Sequence, residues 1–81
     1  MRIDLGKYKM SSDEWEKAID EYVIGKNAYR DRKILKMNLI YGFSYEKISG
    51  KSGLSSRQIA NIIPKRLAQI TDMIEHRRKF Q

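Results

Sequence analysis

Gly42-Phe43-Ser44-Tyr45-Glu46-Lys47-Ile48-Ser49-Gly50-Lys51-Ser52-Gly53-Leu54-Ser55-Ser56-Arg57-Gln58-Ile59-Ala60-Asn61-Ile62 is the stretch whose reading decides the fold. Ser44 is placed to cap a short helix over residues 45–51, because its hydroxyl can accept one of the amide protons that a helix start leaves unpaired. Ser52-Gly53-Leu54 then reads as a tight turn, with Gly53 supplying a positive φ. Ser55 caps the next helix, and Gln58 three residues on completes a capping box. Two capped helices about a three-residue glycine turn have the spacing of a helix-turn-helix. Its apolar requirements fall on Ile48, Leu54, Ile59 and Ile62. Ser49 stands where a small Ala is commonest in such motifs, and Ser52 where an apolar residue is frequent. Gly50 costs about 1 kcal/mol relative to Ala inside a helix, so the first motif helix needs its neighbours. The alternative is an ordinary helical bundle with a glycine turn, which would need no polar and basic face directly after that turn.

Toward the N-terminus, Ser11 and Glu14 form another capping box, with Met10 placed to staple onto Trp15. Trp15, Ala18, Ile19, Tyr22 and Val23 make one apolar helical face, and Gly25 is the expected left-handed stop. Asn27 is the expected cap of a second helix over residues 28–41, ended by Gly42. Leu35 and Leu39 lie nearly opposite Ile34, Met37 and Tyr41, so this helix should pack on two sides. Arg30, Asp31, Arg32, Lys33 and Lys36 read as a solvated stripe with no role beyond charge. Residues 1–10 alternate weakly through Ile3, Leu5, Tyr8 and Met10, which suits an extended arm or a frayed hairpin.

Toward the C-terminus, Pro64 removes the amide that would bond to the Ala60 carbonyl and disfavours helical geometry at Ile63. Yet Ile59, Ile63, Leu67, Ile70 and Ile74 step by four, four, three and four, which favours one kinked helix over two separate ones. The expected fold is therefore all-α: a small bundle of four helices containing a helix-turn-helix, with the last helix kinked at Pro64. Residues 1–10 form an N-terminal arm and residues 11–81 a single domain with a C-terminal helical extension. The apolar pattern runs on through Met73, Ile74 and Phe80, which leaves two readings: a homodimer through the C-terminal helix, or a tail packed back on Trp15 and Tyr22. Arg77-Arg78-Lys79 complements the negative end of that helix, and His76 reads as a surface residue.

The whole chain has 81 residues, 17 Lys and Arg against 10 Asp and Glu, a net charge of +7 and no cysteine. Its size allows one compact core rather than two. No disulfide, thiolate nucleophile or cysteine metal site is available, and a single His does not make a metal cluster. There is no nucleophile–base pair, no phosphate-cradling glycine loop and no metal set, so neither an enzyme nor a cofactor is expected. The apolar runs fall far short of the roughly 20 residues of a membrane span, and charged residues near Met1 leave no room for a signal peptide. No membrane partner is expected. Charge is unevenly spread: 4 basic residues against 6 acidic ones through Ile24 give −2, and 13 against 4 beyond it give +9. A polyanion is the partner that such a distribution favours.

Placed on the second motif helix, Ser56, Arg57, Gln58, Asn61 and Lys65 project away from the Ile59, Ile62 and Ile63 face. Arg57 can take guanine O6 and N7 bidentately, Gln58 or Asn61 can take adenine N6 and N7, and Ser56 can meet a base or a phosphate. Gln58 could equally serve only its cap. On the supporting helix, Ser44, Tyr45, Lys47 and Lys51 are candidates for phosphate contact at a helix N-terminus and its flank, with Tyr45 alternatively a core edge. Ser55 and Arg66 complete the candidate DNA-binding set.

Tyr29-Arg30-Asp31-Arg32-Lys33-Ile34-Leu35, Leu39-Ile40-Tyr41-Gly42-Phe43-Ser44-Tyr45-Glu46-Lys47-Ile48 and Gly53-Leu54-Ser55-Ser56-Arg57-Gln58-Ile59 together resemble the region-four helix-turn-helix of bacterial sigma factors. The stretch is also similar to small phage-encoded regulators that share the module. The resemblance covers about half of the chain, residues 29–70, and departs from the family at Pro64. It implies binding of double-stranded DNA, RNA polymerase as a further partner, and transcription regulation in the cytoplasm of a bacterial host, with a phage or mobile element as the source. No other sigma region accompanies it, so a complete sigma factor is not expected. The remaining alternatives are a protein-interaction module that docks on RNA polymerase or another regulator, and a DNA-packaging or recombination accessory protein.

Overall fold

A computed structural model describes residues 10–79, the last two as backbone alone, and shows four helices: α1 (Ser12–Tyr22), α2 (Ala28–Leu39), α3 (Tyr45–Ser52) and α4 (Ser56–Lys79). The expected arm over residues 1–9 and the expected apolar position Phe80 lie outside the described residues. The fold is the all-α bundle that the periodicity implies. α2 and α4 each touch every other helix, whereas α1 and α3 do not meet among the described residues. α4 has 24 residues, about 36 Å at 1.5 Å per residue, and accounts for most of the 41 Å long axis of the molecule.

The core collects one side of every helix. Ile19 and Val23 come from the α1 end, Ile34 and Leu35 from α2, Ile48 from α3, and Ile59, Ile63 and Ile70 from α4, all essentially without solvent exposure. Each such side chain contributes roughly 1.5–3 kcal/mol by leaving water, so this cluster is what holds α3 and α4 in fixed relation. α2 packs through adjacent Ile34 and Leu35, both buried, one turn before half-buried Met37 and Leu39. Tyr41, expected on the side of Ile34 and Met37, is instead exposed, because the helix ends at Leu39 before reaching it.

Local expectations fare unevenly at the helix ends. The Ser11–Glu14 box is formed, Met10 packs on the core, and Trp15 is buried. Gly25 does take a positive φ of 93° but does not stop α1: the helix ends at Tyr22 with Val23 extended, and Gly25 instead shapes the loop, its carbonyl accepting from the Ala28 amide. Asn27 occupies the cap position of α2 without capping it, because its backbone is left-handed (φ 65°) and its side chain makes no cap bond. α2 closes at Leu39 rather than Tyr41; Gly42 at φ 71° then lets the Phe43 amide return to the Met37 carbonyl at 2.9 Å.

Pro64 lies inside α4, which runs unbroken through it. Ile63, expected to be pushed out of helical geometry, stays helical and buried. Ala60, whose carbonyl loses its amide partner to the proline, is exposed, so water can satisfy it. Beyond Ile70 the stripe returns to its own chain: Ile74 packs against the core and the Arg77 guanidinium donates to the buried Tyr22 hydroxyl at 2.7 Å. This is the tail packed back on α1, and it leaves only Met73 as an exposed large apolar residue on α4.

Candidate nucleic-acid interface

The turn between α3 and α4 is stitched by its own serines. Gly53 takes φ 78°, the Ser52 hydroxyl accepts from the Leu54 amide at 3.3 Å, and the Ser49 hydroxyl donates to the Leu54 carbonyl. Ser49 and Ser52, the two positions that depart from the usual helix-turn-helix residues, are thus the ones that bond the turn. Leu54 is only half-buried, and Ile48 and Ile59 carry the packing beneath it. On either side, Ser44 accepts from the Lys47 amide at 3.2 Å, while Ser55 and Gln58 exchange bonds of 3.1 and 2.9 Å. Both motif helices therefore start at fixed points.

The first three turns of α4 emerge from this frame with Ser56, Arg57, Gln58, Asn61 and Lys65 exposed. Arg57, Asn61 and Lys65 are four residues apart and form one line along the helix. Gln58 turns its amide oxygen back to the Ser55 amide, so the capping role is realised and the side chain is partly spent on it. Ser44 and Ser55 likewise use their hydroxyls as caps. Tyr45 is half-buried and packs on the core, which makes it the core edge. On α3, Lys47 and Lys51 flank one aromatic ring, with ammonium groups 4.0 and 5.6 Å from the Phe43 centroid. That ring holds two cations on one edge of the motif.

Arg66 departs from its expected place in the interface. Its Nε donates to Asp31 at 2.8 Å, its Nη1 to the Ile24 carbonyl at 2.9 Å and to Gln69 at 2.8 Å, and its Nη2 to the Lys26 carbonyl at 2.8 Å. A guanidinium has five N–H donors, and four are used inside the protein. Asp31, expected in a solvated stripe, is buried and receives Arg30 as well, at 3.0 Å. Arg66 is thus a tie between α4, α2 and the loop before α2. Arg32 belongs to the same framework, donating to the Val23 carbonyl at 2.8 Å.

Two groups near the stripe escaped the sequence reading. Lys26 and Arg30 face Asn61 and Lys65 across an open cleft of about 430 Å³. Nothing local marks them, because the cleft exists only once Arg66 has pulled the loop onto α4. Elsewhere on α2, the exposed Tyr29 phenol is held below its ordinary value of 10.0 by hydrogen bonding to Lys33 and by the charge of that ammonium. The acidic face of α1 is largely paired within the chain: Lys36 lies 2.8 Å from Asp20 and 3.9 Å from Glu16, and Arg77 lies 3.4 Å from Glu21. Among the described residues no helix is long and apolar enough to cross a membrane. No protein-family model, curated protein or solved structure matches the chain, so its surface is interpreted from its own chemistry.

Proposed function

We propose that this protein binds double-stranded DNA sequence-specifically, inserting the start of α4 into the major groove, and acts as a transcriptional regulator of phage or mobile-element type. One observation carries the DNA binding: Arg57, Asn61 and Lys65 form an exposed polar and basic line on α4 immediately after a capped turn, with Ser56 exposed at the helix start and the cations Lys47 and Lys51 on the other helix of the motif. The regulator class rests on the resemblance to the sigma region-four module. A helix presented by its N-terminal turns is the geometry by which helix-turn-helix proteins reach base edges. The net charge of +7 supplies the sequence-independent attraction.

Selection of bound duplexes from a random library, followed by titration of the selected site, tests the proposal. A defined site should emerge, and Arg57→Ala should cost about 1–3 kcal/mol at one guanine position while leaving other positions nearly unchanged. Affinity that is indifferent to sequence in both proteins would remove the recognition role of α4. Docking on RNA polymerase through the acidic helix is the less supported reading, because Glu16, Asp20 and Glu21 already have cations of this chain beside them. Recovery of polymerase without salt-dependent DNA binding would favour it nonetheless.

A further inference from the structure

The cleft between α4 and the α1–α2 loop lies beside the exposed line of α4, and its chemistry is distinctive. One wall carries Lys26 and Arg30, the other Asn61 and Lys65, and its floor is the Asp31–Arg66 pair. Four cations therefore surround one carboxylate, and that carboxylate is taken up by Arg30 and Arg66. Lys26 and Lys65 have no ion-pair partner among the described residues. A cleft of about 430 Å³ that opens to solvent and carries this surplus is far larger than one small anion needs. It also shares Asn61 and Lys65 with the exposed line on α4, so anything lying along that line borders the cleft.

We propose that this cleft holds the sugar–phosphate backbone of the DNA strand that flanks the groove occupied by α4, with Lys26 and Lys65 meeting phosphate from opposite walls. The proposal rests on the DNA-binding role proposed above and extends it to the loop before α2. Asn61 is then shared between the groove and the cleft, so the reading helix is registered against a phosphate as well as against bases. Arg66 acts here as a positioning residue. It holds the loop by the carbonyls of Ile24 and Lys26, and so fixes the backbone from which the Lys26 side chain projects.

Because Arg66 grips the carbonyl of Lys26 and not its side chain, Lys26→Ala keeps the clasp and should fold as the parent does. The experiment measures the dependence of duplex affinity on salt for the parent, Lys26→Ala, Lys65→Ala and Lys17→Ala, the last altering a lysine on α1. Each phosphate neutralised contributes about 0.9 to the slope of log K against log salt. Lys26→Ala should lower that slope by about 0.9 on specific and non-specific duplexes alike, a loss of about eightfold in affinity at 0.1 M salt when extrapolated from 1 M. Lys17→Ala should leave the slope unchanged. A methylphosphonate placed at one position of the duplex should weaken the parent more than Lys26→Ala, which would identify the phosphate. A slope unaltered by Lys26→Ala in a parent that binds DNA would overturn the cleft proposal alone. Failure of the parent to bind any duplex would overturn both proposals. Titration with inorganic phosphate, followed at the Lys26 and Asn27 amides, distinguishes the other source of the same chemistry. Saturation by free phosphate together with an unaltered DNA slope would make the cleft a small-anion site and overturn the proposal.

Discussion

Arg66 and Asp31 show how far a residue's role can lie from its local sequence. Their side chains are 11% and 6% exposed, and the contact joins positions 35 apart in sequence. Removing one member of such a pair strands a buried charge and typically costs about 3 kcal/mol or more. Asp31→Ala should accordingly lower the urea unfolding free energy by about 3 kcal/mol. Arg66→Lys should cost about 2 kcal/mol despite keeping the charge, because one ammonium cannot reproduce a fork that spans a carboxylate and two carbonyls. A loss below about 0.5 kcal/mol in both variants would show that the pair holds nothing. Neither role was legible beforehand. Arg66 follows Lys65 in a basic run and Asp31 sits among four cations, so both read as surface charge. Their partners are set by the return of α4 across α2. The role of Asn27 is hidden for a different reason: its residue type suits a side-chain cap and a left-handed backbone equally well, and only the loop decides between them.

At the scale of elements, α3 and its turn were almost fully legible, because caps and turns are fixed by residues three or four positions apart. Gly50 and Gly53 offer a contrast that checks this. Both have open space where a Cβ would be added, but only Gly53 has a positive φ. Gly50→Ala should therefore stabilise the protein by about 0.5–1 kcal/mol, and Gly53→Ala should destabilise it by about 1–2 kcal/mol, as read from thermal unfolding. Ser49→Ala is the more telling substitution. It installs the residue commonest at that position in such motifs and improves helix propensity, yet it should cost about 1 kcal/mol, since the Leu54 carbonyl loses its hydroxyl donor. A gain in stability would mean that the turn does not depend on that bond. Pro64 was legible as a missing hydrogen bond. That the helix would run on regardless depended on the steps of four, four and three through Ile59, Ile63, Leu67 and Ile70, whose burial outweighs the loss.

At the scale of the whole molecule, the apolar stripe of α4 from Ile59 to Ile74 is taken up within one chain, Met73 apart. Ile70 is buried, Ile74 packs on the core, and Arg77 seals the end against Tyr22 and Glu21. Sedimentation at tens of micromolar should therefore give a monomer of 9.6 kDa, and a concentration-dependent dimer would place further apolar contact outside this bundle. The charge asymmetry seen in the sequence also changes meaning at this scale. Much of the acidic surface of α1 is balanced by Lys36 and Arg77, so the basic surplus is left on α3, on the start of α4 and around the cleft. The stripe was visible in the sequence; which neighbours would consume it was not, since α1 and α4 meet over a separation of some fifty residues.

The clasp at the centre of the fold grips backbone rather than side chains in the loop before α2. In evolutionary terms this divides the constraints on neighbouring positions. Arg66 and Asp31 are answerable to folding and have little freedom to vary. Ile24 and Lys26 contribute only carbonyls to the clasp, which almost any residue provides, so their side chains can drift while the bundle persists. A lineage carrying this fold can thus exchange one loop surface for another, and with it a different hold on its partner, without first having to recover its stability.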